Sequence, residues 1–144
     1  MHIAPEFEQR WRDYLAERKP GLIEAFSITL TKLDHGLVKA SMPVGEIVKQ
    51  PFGILHGGAS VALAETLASL GSWMLVSPET NHIAGLEINA NHLRPVSDGS
   101  VHAEATILHQ GRTSHVWHIQ ITDDRGRPVC ISRCTIAIIS SGTS

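Results

Sequence analysis

The sequence predicts a single α+β domain, with one long buried helix packed against a curved antiparallel sheet of about six strands and a short helix ahead of them. Three observations predict it. Residues 57–76 form one uninterrupted helical run, rich in Ala, Leu, Ser and Gly and apolar or small on nearly every face. From Asn81 onwards the period changes, and residues 83–93, 100–109, 114–122 and 127–139 are strand-length runs. The segments between those runs are turn-formers with no room for a crossover helix, so neighbouring strands run antiparallel.

The elements follow in order. Residues 5–18 place Phe7, Trp11, Tyr14 and Leu15 at helical spacing among charged residues, and Lys19-Pro20-Gly21 stops that helix. Residues 22–32 and 36–42 alternate loosely on either side of Asp34-His35-Gly36, which predicts a hairpin. Residues 43–52 hold two prolines and Gly45, which keep them out of regular structure. A helix apolar all round, as in 57–76, must be wrapped on several sides. Repeats and low-complexity segments are absent. The reading is therefore one domain over residues 1–144, with residues 1–20 as a helical extension.

At 144 residues the chain can bury roughly 70% of its unfolded surface, so it needs no disulfide or metal staple. Its 12 Lys and Arg against 14 Asp and Glu give a net charge of −2, which argues against a nucleic-acid binder or a polybasic membrane anchor. Residues 53–76 are long enough to span a bilayer, but Glu65 sits at their middle. A carboxylate there costs at least about 2.5 kcal/mol, so a buried helix of a soluble protein is expected. Residues 1–20 are charged and lack the apolar core of a secretory signal. Cys130 and Cys134 on one strand would stand about 13 Å apart, too far to bridge. A reducing cytoplasm is the expected compartment.

Two features carry chemistry. Gly57-Gly58 opens the long helix, where the first N–H groups have no intrahelical partner. This is either a tight strand-to-helix turn or a place where a ligand approaches the backbone closely. Glu65 is surrounded in sequence by Leu63, Ala64, Thr66, Leu67 and Ala68, and Ser69 lies one turn on along the same face. It lies either on a narrow solvent stripe or in a cleft, because a buried unpaired carboxylate is costly.

The run QPFGILHGGASVALAETLAS, residues 50–69, resembles the signature of the hotdog-fold acyl-CoA thioesterases. It is most similar to the aryl-CoA branch, which includes hydroxybenzoyl-CoA, dihydroxynaphthoyl-CoA and enterobactin-proofreading thioesterases. Residues 85–139 resemble the same branch, and the likeness covers roughly residues 22–139. The resemblance implies that Glu65 is the catalytic carboxylate, as nucleophile or general base. Gln50 and His56 would position the thioester, the Gly57 N–H would donate to its carbonyl oxygen, and Ser69 would orient the attacking water. Gly85, His92-Leu93-Arg94-Pro95 and His109-Gln110-Gly111-Arg112-Thr113-Ser114 match substrate and CoA contacts. Leu93 departs from the pattern, standing where some relatives carry a polar residue.

A thioester needs a nucleophile or activated water on one side and hydrogen-bond donors where charge develops on oxygen. Glu65 and Gly57 are eight residues apart on one helix, about 12 Å at ~1.5 Å per residue, so one carbonyl cannot touch both within a chain. A homodimer with antiparallel helices at its two-fold axis closes the site, and a dimer-of-dimers tetramer is expected.

The nine histidines show no metal-binding motif: His115 and His118 fall on opposite faces of a strand, and His92 has a cation, Arg94, on its own face. No metal and no cofactor is expected, CoA being part of the substrate. The remaining histidines are expected at the surface or an interface, His92 and His109 having the better claim to ligand contact. Arg94 and Arg112 either hold CoA phosphates or are ordinary surface arginines. Trp117 is either core packing or a stacking platform for adenine. The function expected is hydrolysis of acyl-CoA thioesters with aryl or bulky acyl groups. The alternatives are a hydratase or dehydratase of the same fold and a non-catalytic acyl-CoA-binding protein.

Overall fold

The computed structural model describes residues 1–142. Seven strands form one sheet: β1 His2–Ile3, β2 Thr29–Asp34, β3 Leu37–Pro43, β4 Asn81–His92, β5 Ser100–Gln110, β6 Ser114–Asp123 and β7 Pro128–Ser140. Three α-helices accompany them: α1 Glu8–Glu17, α2 Leu22–Ala25 and α3 Gly57–Leu75. The spatial order is β1-β2-β3-β5-β6-β7-β4.

The sheet curves around α3, which packs across β3, β5, β6, β7 and β4. Alternation drives this. Val38, Ala40 and Met42 of β3 point inward, as do Trp117, Ile119 and Ile121 of β6. From α3 they meet Ala59, Leu63, Ala64, Leu67 and Ala68. Trp117 is fully buried core, not a stacking platform, and its Nε1 donates to Ser72 Oγ at 2.8 Å. Gly71 makes room for it: a Cβ there would stand 2.5 Å from the indole. Cys130 and Cys134 are buried free thiols on β7.

Several sequence expectations change. The sheet has seven strands rather than about six, because the two-residue β1 is too short to carry a period. β1 also pairs parallel to β2, so the sheet is not wholly antiparallel. Residues 22–32 are not one strand. Their first part is the single turn α2, capped where the Glu24 carboxylate accepts from the Gly21 N–H at 2.8 Å and closed by Ser27 at φ +54°. Residues 5–18 start as a 3₁₀ turn, Pro5–Phe7, and Leu15 faces solvent while Phe7 and Trp11 enter the core. The connecting segment contains a second 3₁₀ turn, Glu46–Val48. His115, expected near the surface, is buried beside Trp117 on the inner face of β6. No helix among the described residues is long and apolar enough to cross a membrane.

Two open places remain on this frame. β4 is an edge strand of 12 residues, paired only with β7 and bulged at Gly85/Glu87. One face of α3, holding Ala62, Glu65, Thr66 and Ser69, is only half-buried.

Candidate active site

The start of α3 is built from backbone. His56 is its N-cap, and its Nδ1 accepts from the Gly58 N–H at 2.8 Å. In the neutral ring that leaves Nε2 as the protonated, donating nitrogen. The first N–H groups of α3, including that of Gly57, have no intrahelical acceptor. Gly57 needs its missing side chain, since a Cβ would stand 2.7 Å from His92 Nε2. Gln50 Oε1 accepts from the Phe52 N–H at 2.5 Å, which leaves the carboxamide NH₂ free to donate. Gln50, Gly57, His92, Leu93, Arg94 and Pro95 line one groove of about 510 Å³. Six sequence-selected residues thus converge at this end.

Glu65 faces a different space. With Ser69 it lines a cavity of about 580 Å³, whose other walls are largely carbon. Helix positions 62, 65, 66, 69, 70 and 73 follow the i, i+3, i+4 stripe and form its floor. Glu65 therefore faces a cleft, and Ser69 shares that face with it. Gly85 of β4 lies directly under the carboxylate: a Cβ there would collide with Glu65 Oε1. Burial pushes the Cys134 thiol up to about 12, and the charges of Glu65 and Glu87 add to it. That thiol stays protonated, so it offers no nucleophile here.

The strand register separates the remaining candidates. Gly85 pairs with Ile136, which pairs with His115, and Ser114 pairs with Ala137. The turn of His109, Gln110, Gly111, Arg112, Thr113 and Ser114 therefore lies at the Gly85 end of the sheet. His92 pairs with Cys130 and Ile121 in turn, at the opposite end. Seven residues of β4 separate these rows, about 23 Å at ~3.3 Å per residue. Arg94 and Arg112 are both exposed and belong to different ends. Among the described residues no group of three His, Cys, Asp or Glu lies close enough to hold a metal ion.

Besides Ala62, Thr66 and Leu70 next to Glu65 on its own helix, five cavity walls escaped the sequence reading: Tyr14, Leu22, Ile23, Trp73 and Ile83. Trp73 carried a signal, because it lies two turns beyond Glu65 on the same helical stripe. Nothing local marks the others as neighbours of Glu65.

A long helix cradled in a curved sheet, with a glycine-opened N-terminus and a helix-borne carboxylate, defines a hotdog-fold thioesterase. The comparisons agree. The model of the Thioesterase superfamily matches residues 52–130, and the chain belongs to that family. A proofreading thioesterase, EntH, of Klebsiella pneumoniae is 46% identical over 118 residues, covering 82% of this chain and 85% of that protein. A 1,4-dihydroxy-2-naphthoyl-CoA hydrolase of Listeria monocytogenes is also 46% identical over 118 residues, covering 82% of this chain and 95% of that protein. The crystal structure of a mutant thioesterase from Pseudomonas aeruginosa superposes with a TM-score of 0.84 at 43% identity, covering 90% of this chain and 93% of the other.

Proposed function

We propose that the protein hydrolyses acyl-CoA thioesters carrying aryl or otherwise bulky acyl groups, as a homodimer whose sites each draw on both chains. The observation that carries the reading is the split of the chemistry along α3. The carboxylate of Glu65 stands on the lip of an apolar cavity, while the donors gather in a separate groove about eight residues away. A tetrahedral oxyanion needs both within hydrogen-bond reach. In one chain they are about 12 Å apart along the helix axis.

Pairing two chains resolves this. The uncovered face of α3 and the unpaired edge of β4 lie together, and an edge strand of 12 residues is a ready surface for a second sheet. A two-fold axis there brings Glu65 of one chain to the partner subunit's Gly57. Glu65 then attacks the thioester carbon, or deprotonates a water that does, with Ser69 orienting that water. The carbonyl oxygen takes its negative charge onto the Gly57 N–H. The Gln50 carboxamide shares a groove with that donor and His56 caps the same helix start, and both are offered to hold the carbonyl and its neighbours. On the general-base route the proton that Glu65 takes from water passes to the CoA sulfur as the C–S bond breaks; on the nucleophilic route CoA leaves as the thiolate, and water then hydrolyses the acyl–Glu65 anhydride to free the acid and the carboxylate. Arg94 and Arg112 come from opposite ends of the sheet and are the groups offered to the CoA phosphates. The name of the Listeria monocytogenes relative, a 1,4-dihydroxy-2-naphthoyl-CoA hydrolase, supports the aryl preference.

Glu65→Gln tests the reading. It keeps size and hydrogen bonding but removes base and nucleophile, so kcat for CoA release from benzoyl-CoA falls by about 10²–10⁴-fold. Near-normal kcat returns Glu65 to an ordinary polar residue. Release of free CoA with turnover separates hydrolysis from hydration, dehydration and mere binding. In ¹⁸O-water a single turnover that leaves label in Glu65 assigns the nucleophilic role.

A further inference from the structure

The N-terminal helices have no part in the chemistry above, yet they complete the Glu65 cavity. Tyr14 of α1 and Leu22 and Ile23 of α2 lie across it from the helix floor. The cavity is polar at one end and apolar at the other. Glu65, Thr66 and Ser69 stand at the first, Leu70 and Trp73 at the second. Thr66 is already engaged, its Oγ1 donating to the Ala62 carbonyl at 2.7 Å. From Glu65 to Trp73 the axis runs eight residues, about 12 Å at ~1.5 Å per residue. An acyl group whose carbonyl sits at Glu65 must therefore extend towards Trp73, under Tyr14.

The wall is held down by specific contacts. The Arg10 guanidinium lies over the Trp73 ring, 4.1 Å from its centroid, and also donates to the Val76 carbonyl just beyond the end of α3. A cation there meets the negative end of the helix dipole. Arg10 Nε and Nη2 are buried with no hydrogen-bond partner, so the stack and the Val76 bond set its position. Tyr14 is packed between Trp11 and Trp73, at 5.1 Å and 5.5 Å between ring centroids. Arg18 pairs with Glu24, which in turn caps α2 through the Gly21 N–H, so the two wall helices are linked.

We propose that this N-terminal segment is the acyl-size gauge of the enzyme. Tyr14, Leu22 and Ile23 bound the acyl group, and Arg10 is the positioning residue that clamps the wall onto α3 through Trp73 and Val76. The inference rests on Glu65 as the catalytic carboxylate. Its consequence is selection: the cavity, about 12 Å from Glu65 to Trp73 at ~1.5 Å per residue, accepts an aromatic ring, while a straight chain of sixteen carbons outruns that length and meets Trp73 and Tyr14.

The test is a ratio, kcat/KM for palmitoyl-CoA over kcat/KM for benzoyl-CoA, measured on the full chain. Loss of folded protein scales both substrates alike and leaves the ratio fixed. Tyr14→Ala and Ile23→Ala raise it by about 10-fold or more, in line with what pocket contacts of this size discriminate. Tyr14→Phe keeps the wall and leaves the ratio unchanged. Arg10→Ala raises the ratio, and Arg10→Lys, which keeps a cation over Trp73 and a donor for Val76, restores part of the selectivity. If Tyr14→Ala does not fold, Ile23→Ala and Leu22→Ala decide the matter. An unchanged ratio in folded wall variants, with Glu65→Gln inactive, overturns the gauge alone. A changed ratio with Glu65→Gln still active overturns the catalytic assignment of Glu65, and with it the gauge measured from that carboxylate.

Discussion

The two ends of α3 present opposite surfaces. At Gly57 the helix offers backbone N–H groups and a capping His56, beside a groove where Gln50, Ser60, His92 and Arg94 stand among Ile54, Leu55, Leu93 and Val129. Towards Trp73 it offers aromatic and aliphatic carbon roofed by the N-terminal helices, with Glu65 at the boundary. The first end is suited to hold developing charge and the second to hold an acyl group. On the proposed mechanism, catalysis needs the boundary of one helix beside the start of another, a separation that disables a monomer and that a two-fold dimer would close.

The sharpest way to break this contrast is at the boundary. Gly85→Ala adds a methyl group where the Glu65 carboxylate now lies. A displacement of about 1 Å in a reacting group costs roughly 10²-fold, so kcat should fall by about that much with little change in melting temperature. A Gly85→Ala enzyme with normal kcat would place the working carboxylate elsewhere.

The arginines sharpen the comparison further, since they sit at opposite ends of the sheet. If both serve one composite CoA site, Arg94→Ala and Arg112→Ala each raise KM with little change in kcat. The penalty shrinks at high salt, as exposed charges are screened. A truncated pantetheine thioester is indifferent to either change. Normal KM for full CoA esters in one variant removes that arginine from the site.

Acid should affect the two ends in sequence. Burial pushes the pKa of His115, at the Gly85 end, below its usual 6.5, and nearby His109 adds to the shift. The unfolded chain then takes up that proton first, so stability falls as pH drops below 6.5. Asp123 belongs to the turn beside the Pro95–Asp98 loop at the other end. Burial alone would raise its pKa, but hydrogen bonds from Arg127 and from the Arg127 and Arg125 N–H groups bring it down to about 2 from 3.8. Its stabilising share is complete above 3.8 and is lost as pH falls towards 2. His115→Phe should flatten the first slope of melting temperature against pH, and Asp123→Asn the second. Slopes untouched by these changes would assign acid sensitivity to other groups.

What the sequence made legible follows from range. The four long strands and α3 carry their period over ten or more residues, and their observed bounds fall within two residues of those read from the pattern. α2 was hidden because a single turn cannot show a 3.6-residue period, although Gly21 and Glu24 form half of a capping box. The Gly57-Gly58 pair and Glu65 stood out because each breaks a local rule, glycine at a helix start and a carboxylate in an apolar run. Tyr14 and Trp73 did not, because their contact is made only once the chain has folded. Likewise His115 reads as a polar residue in a strand, and only the direction of β6 shows that it points inward.

The central claim is that each site is shared between two chains. Equal amounts of Glu65→Gln and Gln50→Ala chains, each inactive alone, are mixed and allowed to exchange subunits. Half of the resulting dimers pair unlike chains, and each of these holds one intact site, so about a quarter of wild-type activity should return. If exchange is verified by mass and no activity returns, Glu65 and Gln50 work within one chain and the shared site is wrong.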